Sequence, residues 1–311
     1  MPRNVTTQVL SSDLDCTGVE VIRLAGREGM SKLFRFELEL VATSSKLPPG
    51  PNMVGAQLIL VFTTDKGLER VVAGIVCEVE DDFDPSAGAR YLKVSLVPRA
   101  HRLSLVTLYE SSAGRLREVL LEKLGACDVA VELRISENYE NFIEEFLTQY
   151  GESDLAFLDR RCQRLGVNYF FKTTRDQGDV MVFTDTGVFD DRTKDLVVPF
   201  RSSGEQTDVH ALTVKSRMVA SNYIVFDYNH RTPLTQIMGT TKLDAGHGGG
   251  VLEYGANMRT PEGARWLSKV RAEEAESRRI EFHGKSDRPE LYPGLMFTVE
   301  AHPTLGSVEL L

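Results

Sequence analysis

The alternation of apolar and charged positions in the first hundred residues predicts a sheet with one buried and one solvated face. From Leu33 to Val41, phenylalanine and leucine at the even positions alternate with arginine and glutamate at positions 35, 37 and 39. A period of two places every second side chain on the same face of a strand. Further strands are predicted at residues 19–24, 57–62, 69–79 and 90–97, and turns at the proline-rich residues 47–52 and the polar residues 81–88.

A change of period marks the middle of the chain. Leu116, Val119, Leu120 and Leu124 share one face of a predicted helix at residues 114–125. A strand pattern follows at residues 180–184. Residues 140–150 fit a helix face and an extended strand equally well.

Strand patterns return after residue 205, together with one well-delimited helix. Thr260 suits a helix N-cap and Pro261 suits the first helical position, so a helix is predicted at residues 261–277. Its buried side would carry Ala264, Leu267 and Val270. Strands are predicted at residues 210–218, 224–228, 251–254, 295–300 and 308–311.

The order of these patterns predicts an α+β fold that is mainly β. We expect a first β-barrel at residues 1–100, a mixed α/β insertion at residues 101–205 and a second β-barrel, which includes the helix, at residues 206–311. Several short strands at regular spacing are typical of a barrel or a sandwich.

The stretch at residues 149–171 has the most specific local pattern. Ser153 can cap a helix by accepting a hydrogen bond from a backbone N–H, and Asp154 suits the positive end of the helix dipole. Gly166 fits the left-handed position at the helix C-cap. Every second residue from Val167 to Phe171 is apolar, which predicts a half-buried strand.

Ser153 also lies close to a nucleophile motif. The sequence Gly151-Glu152-Ser153-Asp154-Leu155 differs from a GxSxG elbow at its fifth position, where that sharp turn needs a small residue. We therefore predict a helix cap and no catalytic serine.

Other candidate chemistry fails on spacing. The glycine-rich residues 246–250 are not followed by the Gly-Lys-Ser/Thr of a phosphate-binding loop and are expected to form a mobile surface loop. Asp82, Asp84 and Ser86 begin like a calcium loop, but a proline interrupts them and a lysine occupies the twelfth position. The six histidines and four scattered cysteines form no zinc pattern. We predict no catalytic residue, no cofactor-binding residue and no metal ligand.

Composition narrows the function classes further. The 311 residues have room for two or three domains, and a net charge of −9 disfavours nucleic acid as a partner. No apolar run is long enough to span a bilayer, and residues 1–4 do not begin a signal peptide. We expect synthesis in a bacterial cytoplasm and no direct membrane anchor.

The run Gln149-Tyr150-x-Glu152-Ser153-Asp154-x-x-Phe157-Leu158-x-Arg160 resembles the signature of the VgrG proteins, the spike hubs of type VI secretion systems. Weaker similarities lie on both sides of it. They are found at Gly55 and at residues 34–41, 70–76, 91–98, 226–228, 261–265, 284–286 and 291–297. The chain departs from the family pattern at Gln163-Arg164, where acidic residues are common.

The resemblance implies a fold like that of a phage baseplate hub and an extended strand at residues 140–150. It implies a homotrimer whose two barrels per subunit form a ring with six-fold-like symmetry. That ring would cap or nucleate the hexameric Hcp tube, contact baseplate proteins and be injected with the tube into the extracellular space or a target cell.

The family's oligonucleotide/oligosaccharide-binding barrel and needle would follow the strand at residues 308–311, so we expect the chain to be truncated before both. Effectors would then bind through that further part. The alternatives are a baseplate hub of a contractile phage tail or related injection particle, a secreted hydrolase, which the missing catalytic patterns disfavour, and a nucleic-acid-binding barrel protein, which the acidic charge disfavours.

Overall fold

The computed structural model describes residues 5–43, 46–65, 67–136, 143–185, 196–203 and 208–311. Its strands are β1 (Val5–Leu10), β2 (Val19–Arg27), β3 (Arg35–Ala42), β4 (Gln57–Thr64), β5 (Glu69–Asp84), β6 (Ala89–Val97), β7 (Thr107–Arg115), β8 (Ala130–Arg134), β9 (Ile143–Ser153), β10 (Asn168–Thr174), β11 (Gly178–Thr184), β12 (Val197–Pro199), β13 (Val209–Ser216), β14 (Asn222–Asp227), β15 (Ile237–Lys242), β16 (Gly250–Tyr254), β17 (Ile280–Ser286), β18 (Phe297–His302) and β19 (Gly306–Leu310). The α-helices are α1 (Leu116–Ala126), α2 (Asp154–Leu165) and α3 (Pro261–Ser277), and two 3₁₀ helices lie at Gly50–Asn52 and Arg99–Leu105.

The first six strands form one antiparallel sheet in the order β1-β4-β5-β6-β3-β2. Its two end strands, β1 and β2, line a common open cavity of about 730 Å³, so the sheet curls into a nearly closed barrel. Phe36, Leu38 and Leu40 of β3 are buried inside it, whereas Glu37 is exposed. The predicted alternation over this strand is confirmed.

A second core lies behind the barrel, between helices α1 and α2 and a small mixed sheet. In that sheet β11 pairs antiparallel with β10 and parallel with β8. Leu120 and Leu124 of α1 meet Phe157 and Leu158 of α2 there, and the aromatic ring of Phe183 closes the cluster. The predicted helix at residues 114–125 corresponds to α1 and begins two residues later.

The prediction of a half-buried strand at residues 167–171 is only partly correct. Val167 and Tyr169 are buried as expected, but Phe170 is fully buried as well, and Phe171 is only partly so. The ring of Phe170 lies against Gly294, where a Cβ would come within 2.8 Å of it. The turn that contains Gly294 covers the second face of β10, which local periodicity does not reveal.

Other boundaries also move. Strand β5 continues to Asp84, so the predicted turn at residues 81–88 is restricted to its second half, and β18 begins two residues later than predicted. The extended alternative for residues 140–150 is confirmed from Ile143 onward, and residues 140–142 lie outside the described part. Six strands have no counterpart in the prediction, namely β1, β7, β8, β12, β15 and β17.

The last third of the chain builds three small sheets and helix α3. The sheets have the orders β12-β18-β19, β13-β17 and β15-β14-β16. Helix α3 has the predicted bounds, and its N-cap Thr260 accepts a hydrogen bond from the Gly263 N–H at 3.1 Å. Its buried side contains Leu267 and Val270, which pack with Val225 and Ile237 of the last sheet.

Helix α3 approaches strand β15 more closely than a side chain would allow. A Cβ added at Gly239 would lie 2.2 Å from the carbonyl oxygen of Ala264. Because the obstructing atom belongs to a helix backbone, it cannot rotate away. The contact between sheet and helix therefore requires glycine at this position.

We expect Gly239→Ala to lower the free energy of unfolding by about 3 kcal/mol, since the helix must shift to admit a methyl group. Urea denaturation measures this loss. The matched control is Gly125→Ala in α1, where nothing lies within 4 Å of the added Cβ. That control should leave stability unchanged or raise it by up to about 1 kcal/mol. Equal losses for the two variants would contradict the close-approach argument.

Candidate functional site

The signature at residues 149–160 forms the junction between strand β9 and helix α2. Strand β9 pairs only with β7 among the described strands, and the ladder skips Gly151, which has a φ of 61°. A Cβ there would also lie 2.9 Å from the hydroxyl of Tyr109. The bulge therefore requires glycine, both for its left-handed backbone and for the neighbouring ring.

The two ends of α2 carry the predicted caps. The Ser153 hydroxyl accepts a hydrogen bond from the Ala156 N–H at 3.1 Å, and Gly166 has a φ of 74°. The interpretation of Ser153 as a helix cap is therefore confirmed.

A buried ion pair fastens this junction to its surroundings. The Asp154 carboxylate accepts hydrogen bonds from Lys123 Nζ and Gln149 Nε2, each at 2.9 Å. Lys123 also donates to Glu110 at 2.6 Å. Burial disfavours the ammonium, but the hydrogen bonds to the two carboxylates outweigh it and raise the pKa of Lys123. The cluster links β7, α1, β9 and α2 through one charged side chain.

The outer residues of the signature also have structural partners. The ring of Phe157 lies between two cations, with Lys123 Nζ and the Arg160 guanidinium carbon each 5.5 Å from its centroid. Arg160 donates to the Glu152 carboxylate and, at 3.0 Å, to the carbonyl of Thr148. The signature is accounted for by packing, capping and charge pairing within the junction.

A carboxyl group on the opposite side of α2 faces a large cleft. Burial raises the pKa of Asp159, although the Tyr169 hydroxyl donates to it at 2.9 Å. Asp159 and Tyr169 line an open cleft of about 1,010 Å³ between α2 and α3. The carbonyl of Tyr169 accepts a hydrogen bond from the Ser31 N–H at 2.7 Å, which ties the turn after β2 to the insertion.

The departure from the family pattern at Gln163-Arg164 lies at the contact with α3. The Arg164 guanidinium donates to the carbonyl of Ala256, and the Arg164 carbonyl accepts from Arg271 at 3.2 Å. Gly166 packs against Val270, where a Cβ would lie 2.6 Å from the Val270 side chain. Arg164 therefore joins the insertion to the last third of the chain.

The remaining candidate motifs form surface structure. Residues 246–249 lie in the connection between β15 and β16, and Gly250 begins β16. The Gly248 N–H donates to the Ser221 hydroxyl at 2.7 Å. Asp84 Oδ1 accepts hydrogen bonds from Ser86 and Ala87, as a turn requires.

Across the described residues, no group of three His, Cys, Asp or Glu side chains is arranged to hold a metal ion. None of the described helices is both long and apolar enough to cross a membrane.

Two faces of the described surface carry exposed apolar side chains. The outer sheet face is the side of the β15-β14-β16 sheet that points away from α3. It contains Ile224, Phe226, Met238, Thr240, Leu252 and Tyr254, and a row of Asn222, Lys242 and Gly250 follows at one end. The ribbon face is the outward side of the β7–β9 ribbon, and it consists of Tyr109, Ser111, Phe146, Thr148 and Tyr150. Sequence reasoning missed both faces, because each contains a strand, β7 or β15, that was not predicted.

We expect Asp154→Ala to lower the free energy of unfolding by about 3 kcal/mol, because it leaves Lys123 buried with one carboxylate fewer. Chemical denaturation measures the change. Glu110→Ala is the control, since the Glu110 side chain is 44% exposed, and it should cost less than about 1 kcal/mol. If Glu110→Ala proved the more damaging change, the central role of Asp154 would be refuted.

We expect the Asp159→Asn variant to gain stability relative to the wild-type protein as the pH rises from low to neutral. A raised pKa means that the folded state binds the proton more tightly, so wild-type stability falls as pH rises through the ordinary aspartate range towards the folded-state value. Asparagine shows no such fall. Thermal melts across that range measure it.

The control for this pH dependence has the opposite sign. Hydrogen bonds from Ser86 and Ala87 lower the pKa of Asp84, so its contribution to stability is lost as pH falls through the folded-state value. The Asp84→Asn variant should therefore lose stability relative to the wild-type protein as the pH rises from low to neutral. If the stability of the two asparagine variants changed with pH in the same way, the opposite pKa shifts of Asp159 and Asp84 would be contradicted.

Comparisons with known proteins agree with this architecture. Residues 27–309 match the family described as phage tail baseplate hub (GPD). The type VI secretion system spike protein VgrG5 of Pseudomonas aeruginosa is 26% identical over 294 residues, which cover 91% of this chain and 36% of that protein. The chain spans little more than a third of the length of the curated relatives it matches.

Two solved structures share the fold. The Escherichia coli c3393 protein, described as a type VI secretion component similar to the T4 tail proteins gp27 and gp5, has a TM-score of 0.63 at 17% identity, covering 96% of this chain and 67% of its own. The 43 kDa tail protein of prophage MuSo2 from Shewanella oneidensis has a TM-score of 0.61 at 12% identity, covering 99% and 92%. The predicted fold class, mainly β and hub-like, is confirmed. With its match over residues 27–309, the chain belongs to the phage tail baseplate hub family.

Proposed function

We propose that this chain is the hub region of a type VI secretion spike, which caps or nucleates the hexameric tube and is carried out of the cell with it. The observation that carries the proposal is the extent of the similarity. A spike protein is 26% identical over 91% of the chain, and the hub family matches residues 27–309.

The proposal assigns three units to the chain. Residues 1–100 and 206–311 are the two barrels that contribute to a ring, and residues 101–205 are the insertion between them. Three copies would supply six barrels, which match the six-fold symmetry of a tube hexamer. The contacts of Arg164 and Ser31 support this arrangement, because they hold the insertion to both flanking regions.

The proposed partners follow from this role. They are two further copies of the chain, an Hcp-like tube hexamer and baseplate proteins, with effectors bound through a further part of the longer spike protein. The chain would be made in the bacterial cytoplasm and injected into the extracellular space or a target cell. It would have no enzymatic activity, since the work of injection would come from a contracting sheath.

A second candidate function is the baseplate hub of a contractile phage tail or related injection particle. The fold similarity to the MuSo2 prophage tail protein, which extends over 99% of the chain, favours it. The two candidates differ in the tube protein that the hub would recognise.

The test is to mix the purified chain with preassembled tubes of the secretion system and, separately, with phage-type tubes. We expect electron microscopy to show three copies of the chain at one end of the secretion tube. Binding only to the phage-type tube would favour the second candidate. Failure to bind either tube would overturn the hub proposal.

A variant separates the hub from a hydrolase. Ser153→Ala should cost about 1 kcal/mol of stability, as loss of a helix cap does, and should still bind the tube end. A hydrolytic activity that disappears with this substitution would contradict the non-enzymatic role.

A further inference from the structure

We propose that residues 287–296 form a strap that opens and closes as a unit against the first barrel, and that Arg70 is the latch that holds it closed. The inference goes beyond the proposed function, because it concerns how two regions of one chain are fastened and released. Its support lies in the hydrogen bonds of Arg70, in the anchors at the two ends of the strap and in the cavity beside it.

The strap connects β17 to β18 without regular secondary structure. Pro289 and Pro293 have no N–H to donate. The Leu295 N–H donates to the carbonyl of Tyr292 at 3.2 Å, which closes a turn within the strap. From residue 289 to residue 294, the backbone forms no hydrogen bond with the backbone of any other described segment. The middle of the strap is therefore fastened by side chains and not by a strand ladder.

Arg70 of β5 fastens the strap to the first barrel. Its guanidinium donates to the carbonyls of Pro289 and Leu291, each at 3.1 Å. It also donates to the Glu28 carboxylate in the turn after β2. The guanidinium carbon lies 5.8 Å from the ring centroid of Tyr292, within reach of a cation–π contact. Across the described residues, every hydrogen bond between the strap and the first barrel comes from this one side chain.

The chemistry of arginine explains why one residue can hold the strap. A guanidinium presents five N–H donors in a rigid plane, so it can bind two carbonyls and a carboxylate at the same time. The side chains of Arg70 and Glu28 are only 15% and 22% exposed, so solvent screens their ion pair weakly. Loss of the guanidinium would break the bonds to both strap carbonyls and to Glu28 in one event. The strap is therefore released as a unit and not residue by residue.

The two ends of the strap are anchored outside the first barrel. At the start of the strap, Arg288 donates to the Asp208 carboxylate at 2.7 Å. At its other end, Gly294 lies against the ring of Phe170 in β10, and Leu295 is 2% exposed. Neither Asp208 nor Phe170 belongs to the first barrel, so the middle of the strap can leave the barrel while both ends stay in place.

A cavity of about 380 Å³ lies beside the strap. Glu290 and Tyr292 line it on the side of the strap, and Phe34 and Phe171 line it on the side of the barrel and β10. Over part of its length the strap therefore borders a cavity and not a packed core. Because a cavity supplies no dispersion contacts, the bonds of Arg70 account for most of the attachment to the barrel.

Proteolysis at the middle of the strap measures its opening. A glutamyl endopeptidase can cleave after Glu290 only when the strap has left the barrel, and mass spectrometry follows that cleavage. When the strap opens and closes faster than it is cleaved, the cleavage rate tracks the population of the open state. Hydrogen exchange at the amide of Leu60, a fully buried residue of β4, reports in parallel on the first barrel.

Three variants separate the latch from general damage to the fold. Arg70→Lys keeps the positive charge beside Glu28 but replaces the planar guanidinium with a single ammonium. Arg70→Ala removes the latch completely. The matched control is Arg175→Lys, because Arg175 lines the same cavity, pairs with Glu69 at 2.9 Å and has no hydrogen bond to the strap among the described residues.

We expect Arg70→Lys to accelerate cleavage after Glu290 at least tenfold, and Arg70→Ala to accelerate it further. Hydrogen exchange at Leu60 should stay at the wild-type rate in Arg70→Lys, because the barrel keeps its charge pair with Glu28. Arg175→Lys should be cleaved after Glu290 at the wild-type rate.

Three results would overturn the inference. Wild-type rates of cleavage after Glu290 in both Arg70 variants would show that other contacts hold the strap. An equal acceleration in Arg175→Lys would show that the lining of the cavity, and not the latch, controls the strap. If cleavage and Leu60 exchange rose by the same factor in Arg70→Lys, the strap would open only when the barrel unfolds, and it would not be a separate device.

Discussion

The buried bond between Lys123 and Asp154 is the interaction on which the centre of this structure depends. Asp154 begins helix α2, and Lys123 reaches it from α1 while also holding Glu110 of β7. One ammonium therefore fixes two helices and a ribbon relative to each other. Buried charges must be paired, so the strand, bulge and helix cap that place Asp154 are constrained together.

Helix α2 connects this junction to α3, and the strand after α2 connects it to the turn after β2. At its C-terminal end Gly166 lies against Val270 of α3, and Arg164 binds the backbone near the start of that helix. At the following strand the Tyr169 carbonyl holds the turn after β2. The C-terminal end of α2 and the strand that follows it thus lie where the first barrel, the insertion and the last third of the chain meet. Relative movement of these three parts would break several contacts at once.

The ribbon face and the outer sheet face are left uncovered by the chain's own folding. A single copy leaves the aromatic rings of Tyr109, Tyr150 and Tyr254 in water. Apolar surface of this kind marks a place where another surface binds.

Local sequence patterns determined several of the strands, helix caps and helix bounds of this protein. The alternation in β3, the caps at Ser153 and Gly166 and the bounds of α3 follow from residues close together in the chain, since strand period, helix capping and proline at a helix start are short-range effects. Phe170, Gly239 and Lys123 could not be interpreted that way, because their partners Gly294, Ala264 and Asp154 are distant in the sequence. The exposed faces were also missed, because strands β7 and β15 had no predicted counterpart. Tertiary structure alone decided which strands became neighbours, because only the folded backbone brings together the side chains that form one surface.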